Sequence, residues 1–405
     1  MKIMVAGAGI GGLAAALCLD EKGFEVEVFE AVDELRPLGV GINVMPHASG
    51  VLHALGLGAA LDDMAIRTRA IEYRTRFGHL IQSDPRSVEA GFAYPQYSVH
   101  RGELQFLLLD QVRARLGRDA VRAGKAVSGF SQGERGVTVA LADGTSREGD
   151  LLIGADGFRS RVRQQLHPAE GPAHYEGTMM WRGAHLQAPF ADGRTMFIAG
   201  DHDVKFVCYP ISNRAARDGK ALVNWVAEVR DDRPRPAQEA DWTREGDRNF
   251  IARFADFRMP DMDITALVNA TERITLYPMI DRDPLPWWTE GRVTLLGDAA
   301  HPMYPIGANG ASQAVIDARA LADALASQPG PDGLLAYEAQ RRPTTANVVL
   351  NNRGSGPERV LDIAAARVKG PDDRIEDLIS AAELEEVAAS YRAVAGFEKK
   401  PVSAA

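Results

Sequence analysis

The run from Lys2 to Gly12 constrains this chain more than any other. Lys2 to Ala6 is a short apolar run, the pattern of a parallel strand buried on both faces. Gly7, Gly9 and Gly12 follow in a G-x-G-x-x-G spacing, and Leu13 to Leu19 continues as an apolar, alanine-rich helix. Gly7 permits the tight turn, Gly9 lets the backbone approach a pyrophosphate, and Gly12 lets helix and strand pack closely. The helix N-terminus offers free N–H groups and a positive dipole end to phosphates. A second strand, Glu25 to Phe29, ends at Glu30, 18 residues after Gly12. A carboxylate there suits the two hydroxyls of an adenosine ribose. The chain is therefore expected to hold a dinucleotide on a Rossmann-like sheet.

NAD and FAD share this fingerprint, so a second signal has to separate them. Arg292 to Leu296 is another apolar strand, closed by Gly297-Asp298. A carboxylate at that strand end, beside the first βαβ unit, suits a ribityl chain; a capping Asp in an ordinary strand-loop-helix fits as well. The helix expected at about Ala311 to Leu325 begins after Gly307-Ala308-Asn309-Gly310. Its N-terminus is suited to stabilise negative charge on the pyrimidine edge of a flavin.

Composition places the chain among large globular proteins. With 405 residues, 45% of them hydrophobic, it can bury a sizeable core, expected as two interleaved domains. A net charge of −9 argues against a nucleic-acid partner. No apolar run approaches the roughly 20 residues of a membrane span. The N-terminus opens directly on a strand, with no charged leader, so the expected compartment is the cytoplasm. Cys18 and Cys208 suggest neither a disulfide framework nor a metal site.

Periodicity divides the chain further. Arg101 to Leu116 is an amphipathic helix with Leu104, Leu107, Leu108, Val112 and Leu116 at helical spacing. Asp143-Gly144 marks a hairpin. Met179 to Leu186, Thr195 to Ala199, Lys205 to Pro210 and Leu222 to Val229 read as antiparallel strands. The signal fades after Asn352 until a helix at Ala381 to Ala395 and a short polar tail.

Three motifs in order, Gly7-x-Gly9-x-x-Gly12, Asp156-Gly157 and Gly297-Asp298, resemble the single-component FAD-dependent aromatic hydroxylases, the group of p-hydroxybenzoate and salicylate hydroxylases. The middle motif runs from Asp150 to Arg163, and the resemblance covers about residues 1–355. Arg36 to Asn43, Tyr94 to Gln105 and Asp281 to Pro286 are most similar to phenazine-modifying members. The resemblance implies an α/β fold: a Rossmann-like FAD-binding domain (1–72, 99–175 and 278–355) interleaved with an antiparallel-sheet substrate domain (73–98 and 176–277), with 356–405 a C-terminal helical segment and tail. It implies a monooxygenase in which NADH or NADPH reduces FAD, oxygen adds at flavin C4a, and the hydroperoxide passes an OH to an electron-rich ring. Whether that ring carries a carboxylate, whether carbon dioxide leaves and which nicotinamide serves stay open, as does the choice between monomer and homodimer. A flavoprotein oxidoreductase without oxygen insertion and a non-turnover FAD module remain alternatives on the same fold. No Ser-His-Asp or Cys-His nucleophile pattern is present, and the chemistry needs none.

Carried residue by residue, the resemblance places Arg101 at the FAD phosphate or ribityl region, with Gln105 one turn on. Asp298 takes the ribityl chain, and Gly297 closes the strand before it. Asp156 supports the FAD side and the reductant's approach, although an Asp-Gly after a strand is also simply a turn. Arg36 is a further cofactor candidate and Arg163 a weaker one. Pro305 and Gly307 shape a loop along the flavin, and amides near Asn309 and Gly310 meet its carbonyl. His301 beside Pro302 reads as structural. His47 is a candidate to bind or deprotonate a phenol, and with Tyr209 and Pro305 it makes up the catalytic candidates. Trp181, Arg182, Tyr209 and Asn224 are substrate candidates on the strands, where alternation turns about half to the ligand. Arg182 suits a substrate carboxylate.

Overall fold

The computed structural model describes residues 1–395 apart from 38, 87 and 232–243. At its centre five strands lie in the order Val293–Leu295, Leu151–Gly154, Lys2–Ala6, Glu25–Phe29 and Val121–Arg122, all parallel. The apolar runs that form them are buried on both faces, as a parallel sheet demands. The helix Ile10–Glu21 packs on both Arg101–Leu116 and Gly310–Ser327.

A second, seven-stranded sheet runs in the order Thr275–Asp281, His174–Gln187, Ala221–Arg230, Val204–Pro210, Thr195–Gly200, Ala70–Arg74 and Leu80–Pro85. All its pairings are antiparallel except that between Thr195–Gly200 and Ala70–Arg74. One face carries Trp181, Phe206 and Trp225 under the 3-10 helix Asn249–Phe254 and the α-helix Ile264–Ala270. The opposite face carries Val207, Tyr209, Val226 and Tyr277, which pack with Tyr304, Ile306, Val360 and Leu361. A three-stranded sheet of Gly41–Val44, Tyr97–His100 and Ile66–Arg67 stands between the two halves of the chain.

The C-terminal third differs from the sequence pattern. Pro331–Arg353 is a 23-residue helix with Pro343 inside it, a residue that ordinarily ends helices. Past Asn352, where the pattern fades, the chain forms the turn Gly356–Glu358 and the helices Arg359–Arg367 and Ile375–Leu378. The expected helix Ala381–Ala395 is present, and the tail from 396 lies outside the described residues. Among the described residues, no helix is long and apolar enough to cross a membrane.

Arg163 ties two of the motifs together. Its buried Nη1 donates to the carbonyls of Ala299 and Ala300, each at 2.9 Å, and its Nε and Nη2 donate to Glu170 at 2.8 and 2.6 Å. This is a scaffolding role, and it sets Arg163 apart from the cofactor candidates. Replacing it strands a half-buried carboxylate and two carbonyls. Arg163→Ala should lower the unfolding free energy by about 3 kcal/mol, read from the urea midpoint.

Candidate active site

Four sequence motifs converge because four neighbouring parallel strands end on one edge. Gly7 follows Lys2–Ala6, Glu30 follows Glu25–Phe29, Asp156 lies two residues past Leu151–Gly154, and Gly297-Asp298 follows Val293–Leu295. Crevices at the carboxyl ends of such strands are where open α/β sheets bind ligands. Gly7 has φ +103°, and a Cβ there would lie 2.4 Å from the Ala155 carbonyl oxygen; a Cβ on Gly12 would lie 2.0 Å from that of Gly7. A Cβ on Gly9 would meet nothing within 4 Å. The loop is therefore packed from behind and open in front, which fits a backbone approached by a pyrophosphate.

Two of the expected ligands grip this loop. Glu30 Oε2 accepts from Ala8 N at 2.8 Å, and Gln105 Nε2 donates to the Ala8 carbonyl at 2.8 Å. Arg101 begins the helix Arg101–Leu116 and is exposed; its aliphatic stem lies beside Gly39, and its charge acts on Asp298. Asp156 takes the turn role: its carboxylate accepts from the Ser160 hydroxyl and from Arg161 N at 2.7 Å, starting the helix Arg161–Leu166. Arg36 is exposed and pairs with Glu34 at 2.7 Å.

Asp298 is accessible to water yet densely surrounded, the situation of a side chain lining a cleft. Burial raises its carboxyl above the usual range, while His301 and Arg101 pull it back. Its Oδ1 lies 4.0 Å from where a Cβ on Gly310 would stand, at the start of the helix Gly310–Ser327. The loop between them is held from below. His301 Nε2 meets Asp317 Oδ2 at 2.5 Å, Gly297 N donates to the same oxygen at 3.2 Å, and Arg341 Nε donates to Oδ1 at 2.7 Å. His301 is thus a buried structural residue, as its place beside Pro302 suggests. Pro305 is exposed, Gly307 has φ +68°, and Asn309 is fully buried before the helix.

Strand alternation sorts the substrate candidates. Arg182, Tyr209 and Asn224 share the face turned to the nucleotide half. Asn224 Oδ1 accepts from Gly41 N at 2.7 Å, and Arg182 donates from Nη2 to the Gly41 carbonyl and from Nη1 to the Tyr277 hydroxyl, both at 2.8 Å. Gly41 is needed here, since a Cβ would fall 2.7 Å from Asn224 and Ile211. Burial pushes the Tyr209 phenol up to about 12, so it stays a donor at neutral pH. Trp181 is a correction to the substrate set: it lies on the other face and stacks on Phe250 at 4.7 Å. Its neighbour Arg182 took the inner position, and period two leaves no choice.

His47 stands in the first turn of Pro46–Ala54 and is turned inward. Burial pushes its imidazole down to about 3, and the charges of Arg341 and Arg86 add to the effect. A ring so reluctant to accept a proton is a poor base toward a phenol, which weighs against the deprotonating half of its expected role.

The comparisons with known proteins agree with this geometry. Residues 1–352 match the family model described as an FAD binding domain. The chain is 46% identical over 361 residues to the phenazine 1,6-dicarboxylic acid hydroxylase PhzS of Lysobacter antibioticus, spanning 87% of this chain and 89% of that protein. It is 30% identical over 364 residues to the 6-hydroxynicotinate 3-monooxygenase of Pseudomonas fluorescens, spanning 86% and 89%. The chain belongs to the single-component FAD-dependent aromatic hydroxylases. The crystal structure of Klebsiella pneumoniae HpxO with FAD and uric acid superposes with a TM-score of 0.76 at 26% identity, spanning 98% of this chain and 95% of that one. FAD, once bound, supplies the passage of electrons from NAD(P)H to oxygen that aromatic hydroxylation by this family requires. The open glycine loop, the strand-edge carboxylates and the helix start at Gly310 fit that cofactor. The sequence pattern alone missed Asp317 and Arg341, which act from inside the helices Gly310–Ser327 and Pro331–Arg353, and the grip of Glu30 and Gln105 on the two polar groups of one residue, Ala8.

Two outcomes follow. Asp298→Ala removes a cleft carboxylate and should raise the FAD dissociation constant about tenfold or more, measured by flavin fluorescence titration; full, tight flavin in the variant contradicts the role. His47 is depressed when folded, so the unfolded chain binds more protons below its ordinary value of 6.5 and stability falls as pH drops. Between pH 7.5 and 5 that loss should be about 2 kcal/mol smaller in His47→Asn, by parallel urea titrations.

Proposed function

We propose that the ring hydroxylated by this chain carries a carboxylate and that Arg182 receives it. The observation that carries the reading is the state of Arg182 itself. It lines the inner face of the seven-stranded sheet, enclosed on all sides yet partly accessible. Its hydrogen bonds go to neutral groups, the Tyr277 hydroxyl and the Gly41 carbonyl; Glu228 acts on it only through space, and no acidic side chain among the described residues forms an ion pair with it. A guanidinium taken from water without an anion costs several kcal/mol, and an aromatic acid entering the cleft brings that anion. Arg182 Nε has no partner among the described residues, leaving a donor on the fork. The relatives' own names favour the same class, since phenazine 1,6-dicarboxylic acid and 6-hydroxynicotinate are heteroaromatic acids. Phenazine carboxylates are therefore the first compounds to try.

The test is NADH or NADPH oxidation with a panel of phenazine, pyridine and benzene carboxylates and their carboxamides, under labelled oxygen. One carboxylate should accelerate flavin reduction and gain one labelled oxygen, the product mass showing whether carbon dioxide left. Arg182→Lys should raise KM for that acid about tenfold or more, because a point charge replaces a planar fork, and leave KM for the carboxamide unchanged. Equal losses for acid and amide contradict the assignment. Reduction without oxygen gain by any compound would point to a flavin reductase.

A further inference from the structure

We infer that Glu358, far along the chain from every cofactor motif, is a positioning residue that latches the flavin-side loop from behind. The loop Pro305–Gly310 turns through two consecutive left-handed residues, Gly307 at φ +68° and Ala308 at φ +55°. A residue with a side chain in that region is strained and persists only where its surroundings hold it. The Gly307 N–H donates to Glu358 Oε1 at 3.5 Å. The other carboxylate oxygen of Glu358 accepts from Lys205 Nζ, which also pairs with Glu228 at 2.8 Å. Lys205 and Glu228 stand directly opposite each other on adjacent strands of the substrate sheet. All three side chains are buried, with residue exposures of 6–7%.

The group is an asymmetric one: a single ammonium serves two carboxylates. Burial raises the Glu358 carboxyl, Lys205 lowers it and Glu228 raises it again. Among the described residues Glu228 pairs with the sheet's Lys205, whereas Glu358 reaches both that lysine and the loop's amide. The turn Gly356–Glu358 that carries it follows Ser355 at φ +65°, and just before it Asn352 Nδ2 donates to the Tyr304 carbonyl at 3.0 Å. The segment from Asn352 to Glu358 thus holds the loop at two peptides, Tyr304 and Gly307. A small crevice lined by Ile306, Met279, Arg353 and Glu358 borders the loop, with room for about one water. With the latch closed, the Gly307 peptide is fixed, and with it the direction of the amides that follow at Asn309 and Gly310.

Three variants separate reach from charge: Glu358→Asp, Glu358→Gln and Glu228→Gln. Aspartate keeps the charge but is one methylene too short to span Lys205 and Gly307. Glutamine has one acceptor oxygen and cannot serve both. Glu228→Gln removes the same charge without touching the loop. Hydrogen exchange of the flavin-free protein over residues 303–310, by mass spectrometry, should quicken about fivefold in both Glu358 variants and stay at the wild-type rate in Glu228→Gln. The FAD dissociation constant and the visible spectrum of bound flavin should shift in the same two variants. If one Glu358 variant fails to fold, the other still decides against Glu228→Gln. Loosening by Glu228→Gln equal to that by Glu358→Gln, or an unmoved loop in the Glu358 variants, overturns the assignment.

Discussion

The carboxylate of Asp317 is the interaction on which the site depends most. It is fully buried and takes donors from three separate pieces of chain: Gly297 N at the strand end, His301 Nε2 in the loop and Arg341 Nε in the long C-terminal helix. Burial alone would raise this carboxyl, yet His301 and Arg341 hold it below the ordinary value. A charged group in a dry interior is tolerable only when its partners are complete. Asp317 therefore fixes where the strand Val293–Leu295 hands over to its loop, and so where Asp298 and the start of the helix Gly310–Ser327 come to rest. Arg163, bound to the Ala299 and Ala300 carbonyls, locks the same loop against the middle motif.

The two sheets meet through a second constraint, the grip of Arg182 and Asn224 on both polar groups of Gly41. Backbone groups of a strand from one half are satisfied by side chains from the other, which sets the distance between them with little freedom. The same grip leaves the Arg182 guanidinium with no direct ion pair among the described residues, Glu228 acting on it only at a distance. Arg182 is thus part of the scaffold as well as the proposed carboxylate receptor, which is why a substitution test has to compare acid and neutral analogues.

Much of this was legible in sequence because the rules involved are local. The strand Lys2–Ala6, the strand Glu25–Phe29 and the helix Arg101–Leu116 follow from apolar period and turn chemistry, and the α/β class from motif order. The glycine fingerprint carries its own steric logic, and the structure places Gly7, Gly9 and Gly12 as that logic requires. Alternation suggested that about half of the strand candidates face the ligand; three of the four share the inner face, because register is set by partners elsewhere in the chain. Trp181 and Arg182 are adjacent and only the pairing decides between them. The helix Pro331–Arg353 escaped notice because Pro343 and a weak periodicity hide it, and Asp317, Arg341 and Glu358 act only through contacts distant in sequence.

The most direct test is a crystal structure of the chain loaded with FAD and an aromatic carboxylate that accelerates its reduction. The account predicts the pyrophosphate over Gly9, the ribityl chain on Asp298, and the ligand carboxylate within hydrogen-bonding distance of the Arg182 guanidinium. A carboxylate seated elsewhere, with Arg182 still bound only to Tyr277 and Gly41, would contradict it.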